Sequence, residues 1–137
     1  MTILKQEDGE LSAKVLIVDD DPGIRMLLSK FLQREGFETI MAQNGLEGVE
    51  TAKKLQPDIV IMDVVMPQMD GLTAARLIKF YKPLSEVPII FLTAKDANKE
   101  IELAQEVRAE VYITKPFDVR QVVDVVRETL SGKRTKD

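Results

Sequence analysis

Apolar residues follow two rhythms along this chain. Val15 to Val18, Ile59 to Met62 and Ile89 to Leu92 are short unbroken runs bounded by polar or turn residues. Runs of that length, rich in β-branched residues, predict strands buried on both faces, as at the centre of a parallel sheet. Phe37 to Ala42 and Val111 to Ile113 predict two more strands. Between the runs the spacing turns helical. Ile24, Leu27, Leu28, Phe31 and Leu32 share one face, as do Leu46, Val49, Ala52 and Leu55. A third helix points Leu72, Ala75 and Ile78 inward and Arg76 and Lys79 outward; Ala97, Ile101, Ala104 and Val107 mark a fourth. The last segment, about 119–130, is β-branched enough to pass for a strand. Its apolar positions Val119, Val122, Val123, Val126 and Leu130 nevertheless repeat at helical spacing, and it is too long for an ordinary strand.

Punctuation agrees with that pattern. Asp21-Pro22 combines an N-cap with proline at the first helical position, and Gly36 sits where a helix ends in a left-handed residue. Asn44, Asp70 and Asp96 can cap the next three helices, Pro57 stops the second, and Pro83 and Pro88 bracket the loop into the fourth strand. Five strand–helix units in unbroken alternation predict an α/β fold, a parallel sheet with helices on both faces.

The chain has 137 residues, which suits one domain. At that size roughly two-thirds of the unfolded surface can be buried without a covalent staple. We divide it into a polar extension at 1–13, which carries Glu7, Asp8 and Glu10, a folded domain at 14–130 and a polar tail at 131–137. With no Cys and no His, disulfides, thiolate metal sites and imidazole acid–base chemistry are excluded. Carboxylates, lysines and hydroxyls remain as the reactive inventory. A net charge of −4 argues against direct nucleic-acid binding, and no apolar run is long enough to span a bilayer. A cytoplasmic setting is expected.

The candidate chemistry lies at strand ends. In a doubly wound sheet the carboxyl ends of several strands surround one crevice. Here those ends carry Asp19 and Asp20, Asp63, Thr93 and Lys115. Each has an ordinary explanation taken singly: a helix cap, a turn hydroxyl, a surface ion pair. Four matched strand ends make that set of explanations improbable. Carboxylates this close repel one another and raise a pKa, a conflict that a divalent cation removes. All-oxygen ligation suits Mg²⁺ (or Mn²⁺). A hard cation beside a carboxylate, a hydroxyl and an ammonium fits phosphoryl transfer, with Asp63 as nucleophile. Asp20 and Asp63 would hold the metal, with Asp19 direct or through water and the Val65 carbonyl as a further ligand. Lys115 and Thr93 would bind phosphoryl oxygens.

The stretches Val15 to Pro22, Asp58 to Gly71, Phe91 to Lys95 and Tyr112 to Phe117 resemble, in order and spacing, the motifs of the receiver domain of two-component response regulators. The resemblance covers about 14–130, and a single-domain, chemotaxis-regulator-like receiver is its nearest form. It implies a flavodoxin-like sheet of order 2-1-3-4-5 and a cis peptide before Pro116. It also implies that Asp63 takes a phosphoryl group from a sensor histidine kinase or phosphotransfer protein. Thr93 would then move toward the phosphoryl group as Tyr112 turns inward, altering the surface of the fourth helix, fifth strand and fifth helix for a protein partner. Whether that partner is another protein or a second copy of the chain stays open. In this family the positions held by Val65, Ala94 and Lys95 tune the lifetime of the phosphorylated state. An apolar Val65 cannot orient an attacking water, so slow self-dephosphorylation is expected. The chain departs from the family in having Arg108 before Ala109, where glycine is usual, and Glu110-Val111 before Tyr112. Both changes fall near the signalling face. A metal-dependent phosphohydrolase would need an acid where Val65 stands, and a nucleotide site would need a glycine-rich loop after the first strand. A phosphorylation-independent binding module is the remaining alternative.

Overall fold

The computed structural model describes residues 12–94 and 111–132. The predicted fourth helix, Lys95, Arg108, Ala109 and Glu110 lie outside the described residues. Five parallel strands, β1 (Lys14–Val18), β2 (Glu38–Ala42), β3 (Ile59–Asp63), β4 (Ile89–Thr93) and β5 (Val111–Thr114), form one sheet in the order β2-β1-β3-β4-β5. This is the doubly wound, flavodoxin-like order that the resemblance implied.

The continuous apolar runs are explained by how the sheet is covered. Successive strand residues point to opposite faces, and each face has its own core. Leu16, Val18, Val60, Met62, Ile89 and Phe91 pack beneath α2 (Gly45–Leu55) and α3 (Gly71–Phe80). Val15, Ile17, Ile59, Ile61, Ile90 and Leu92 pack beneath α1 (Pro22–Arg34) and the C-terminal helix (Val119–Leu130). The β-branched C-terminal segment is helical because Val122, Val123 and Val126 all fall on the buried side.

Helix boundaries follow the predicted caps. The Asp21 carboxylate accepts from the amides of Gly23 and Ile24, the Asn44 side-chain amide oxygen from Glu47, and the Asp70 carboxylate from Thr73. Gly36 follows α1 at φ +95°, a conformation favouring glycine. Two apolar stripes are narrower than predicted. On α2, Gly45, Gly48, Val49 and Ala52 face the sheet, while Leu46 and Leu55 are exposed. Leu27 of α1 is likewise exposed at the edge of its stripe. A short 3₁₀ turn, Lys82–Leu84, buries Leu84 within the loop that two prolines were expected to bracket.

The two edges of the sheet differ in character. At the carboxyl edge β1, β3, β4 and β5 deliver polar residues. At the opposite edge Ser12, Ala13 and Lys14 line one hollow with Glu38, Asp58 and Leu130.

Candidate functional site

The site is built where the chain leaves each strand. β1 ends at Val18, so Asp19 is the first residue past the sheet; its amide still donates to the Ala42 carbonyl at 3.3 Å, and its side chain is fully buried. One of its carboxylate oxygens accepts from the Asp21 amide at 2.9 Å and the other from Lys115 Nζ at 3.2 Å. Asp20 is exposed beside it. Asp63 is the last residue of β3 and 4% exposed. Its Oδ1 lies 3.3 Å from Lys115 Nζ and accepts from the Val65 amide at 3.3 Å. Asp19, Asp20 and Asp63 each present one oxygen within 4.8 Å of the others.

Thr93 ends β4, fully buried, with its hydroxyl donating to the Ala94 carbonyl at 3.3 Å. Lys115 follows β5, its amide donating to the Thr93 carbonyl at 2.7 Å, and the Lys115–Pro116 peptide is cis. Val65 and Ala94 flank the crevice with exposed side chains. Tyr112 sits within β5, half-buried, its ring stacked on Phe91 at 6.2 Å. The structure therefore brings Asp19, Asp20, Asp63 and Lys115 into one cluster, with Val65, Thr93 and Ala94 at its rim. Tyr112 sits apart on the α2/α3 face of the sheet.

Gly71 sets the depth of the β3–α3 loop. Its amide donates to the Val64 carbonyl at 2.8 Å, and a Cβ there would collide with the Asp63 carbonyl oxygen. In the sequence it entered only as the end of the Asp58–Gly71 stretch, with no sign of this close approach. An unpredicted contact comes from α1, where Arg25 Nη1 donates to the Asp19 carbonyl at 2.6 Å. The one signal for it was a basic residue one helical turn beyond the Asp21 cap. An apolar hollow of about 460 Å³ adjoins the cluster, lined by Ile24, Leu27, Ala94, Lys115, Pro116 and Phe117.

Charge in the cluster is unbalanced. Burial and the neighbouring Asp19 carboxylate push the Asp63 pKa from an ordinary 3.8 up to about 7, and Lys115 only partly opposes them. Burial disfavours the Lys115 ammonium, but Asp63 and Asp19 outweigh that and raise its pKa above 10.5. Burial raises the Tyr112 pKa as well. Three ionised carboxylates and one ammonium sum to −2, which one divalent cation would cancel. The donors are all hard oxygens, so the residues fit Mg²⁺ or Mn²⁺.

The family model of the response regulator receiver domain matches residues 15–127. Among curated proteins, the sporulation initiation phosphotransferase F of Bacillus subtilis is 36% identical over 124 residues, covering 90% of this chain and 98% of that protein. Protein PilH of Pseudomonas aeruginosa is 34% identical over 120 residues, covering 88% and 99%. Among solved structures, the chemotaxis protein CheY4 of Vibrio cholerae superposes with a TM-score of 0.81 at 30% identity, covering 86% of this chain and 98% of that one.

Proposed function

The chain belongs to the family of response regulator receiver domains, and from that premise we propose that Asp63 is its phosphoacceptor. The donor is the phosphohistidine of a sensor kinase or phosphotransfer protein. The observation that carries this reading is the placement of Asp63: a buried carboxylate at a strand end, beside two other carboxylates and 3.3 Å from an ammonium. An ordinary strand-ending aspartate has no use for such company.

Asp19, Asp20, Asp63 and the Val65 carbonyl are the groups that would hold Mg²⁺ or Mn²⁺. When bound, the cation neutralises the carboxylates and the charge on the transferring oxygens. The residues of the chain do the rest. Asp63 loses its proton, and a carboxylate oxygen attacks phosphorus in line. The Oδ–P bond forms as the P–N bond breaks; the bonding pair stays on the imidazole nitrogen, which takes up, through solvent, a proton equivalent to the one Asp63 released. Lys115 already touches Asp63 and needs only a small shift to pair with a phosphoryl oxygen. The Thr93 hydroxyl, held by one long bond to Ala94, can turn to a second oxygen. Almost two added negative charges supply the differential binding that such a move requires. Tyr112 would turn further inward as Thr93 leaves, changing the surface of β5 and the flanking helices for a protein partner.

Intact mass after incubation with acetyl phosphate tests the chemistry. One added phosphoryl group is expected, requiring both Mg²⁺ and Asp63, and absent in Asp63→Asn. No adduct under any condition would favour a phosphorylation-independent binding module. The lifetime reading rests on Val65, whose exposed apolar side chain cannot orient water at the phosphoryl group; Ala94 leaves the approach open, and Lys95 is the third position concerned. Val65→Asn is expected to lose its phosphoryl group several-fold faster than the parent, and an unchanged decay would remove this role for Val65.

A further inference from the structure

We propose that Arg25 is a positioning residue for the metal pocket, acting through the Asp19–Asp20 peptide; the inference rests on the function proposed above. Arg25 lies in α1, one turn past the Asp21 cap, and its amide donates to the Asp21 carbonyl at 3.1 Å. Its guanidinium reaches back over the helix start to the Asp19 carbonyl at 2.6 Å. That carbonyl belongs to the first peptide beyond the sheet, where strand pairing no longer orients the chain. The carboxylate of Asp19 is already held by the Asp21 amide and Lys115. Asp20 is exposed, and its direction depends on the peptide that precedes it. By holding the oxygen of that peptide, Arg25 fixes where the Asp20 carboxylate points. The α1 helix thereby contributes to the pocket through Asp21 and Arg25 together, at its cap and one turn further on.

Charge and positioning make opposite demands here, and that makes the role testable. Were Arg25 only a nearby positive charge, removing it would tighten binding of a cation. As a positioning residue, its removal must weaken binding. Contacts that orient metal ligands are worth about tenfold or more in affinity. Titration calorimetry with Mg²⁺ alone is to be run on the parent, Arg25→Ala and Arg25→Lys. Thermal unfolding and the ¹⁵N–¹H spectrum are to be recorded for each without metal. Arg25→Ala is expected to bind Mg²⁺ about tenfold more weakly, with the Asp20 amide resonance displaced, and Arg25→Lys to recover part of both. In acetyl phosphate reactions the Mg²⁺ concentration for half-maximal rate rises in Arg25→Ala, while the rate at saturating Mg²⁺ changes little. Unchanged or tighter Mg²⁺ binding in Arg25→Ala would overturn the proposal. So would a loss of folding stability with the parent's affinity retained in Arg25→Lys and Arg25→Ala alike. A parent that binds no Mg²⁺ would instead overturn the function on which it rests.

Discussion

At Asp63, burial and the Asp19 carboxylate both oppose ionisation, and the Lys115 ammonium only partly offsets them. The sign of the consequence follows from linkage. A carboxyl whose pKa rises from 3.8 to about 7 on folding holds a proton in the folded state that the unfolded chain has released. Its contribution to stability is complete below about pH 4 and is lost as pH rises through about 7, a change of at most about 4 kcal/mol. Asp63→Asn removes that loss. In the absence of divalent cations, Asp63→Asn should therefore melt above the parent at pH 8, with the gap closing toward pH 5. Mg²⁺ competes with the proton, so it should raise the parent's melting temperature more at pH 8 than at pH 5. Paired thermal scans in EDTA and in Mg²⁺ check both statements, and a pH-independent gap would refute them.

At the scale of elements, α1 and α2 pack by different means. α1 sends Leu28 and Leu32 fully into the core. α2 comes close enough to the sheet that Gly48 meets the Val18 side chain, so its neighbouring leucines ride outside. Leu32→Ala should cost about 2–5 kcal/mol, as other buried leucines do. Leu46→Ala, at 55% exposure, should fall within about 0.5 kcal/mol of the parent. Urea denaturation of the two variants separates the cases, and equal losses would show that Leu46 is packed after all. The far end of α1 is tied to the C-terminal helix by Glu35, which pairs with Arg127 at 2.7 Å and Arg120 at 3.8 Å. These pairs are exposed and worth little singly; the valine stripe beneath them holds the helix.

Across the whole molecule, what the sequence made legible was whatever repeats or punctuates. Strand runs such as Ile59 to Met62 and the caps Asp21, Asn44 and Asp70 are local signals and lie within a residue of their predicted places. The acidic cluster was legible because strand ends in this topology converge whatever lies between them. Contacts set by the third dimension were not. Arg25 on the Asp19 carbonyl depends on how far a long side chain folds back over its own helix start. The exposure of Leu46 depends on how close α2 lies to Val18, and helical period says nothing of separation.

The hollow at the edge opposite Asp63 has a consequence of its own. Ser12 and Leu130, at and near the first and last described residues, border the same space. A linker joining the chain after Gly132 to Ser12, with the exposed Ser85–Glu86 bond in the loop before β4 opened, would give a circularly permuted chain. Such a chain is expected to keep the described strand pairings and the groups around Asp63, and a loss of cooperative thermal unfolding in it would show otherwise. Where reading begins is thus separable from what the ring of strands and helices encloses.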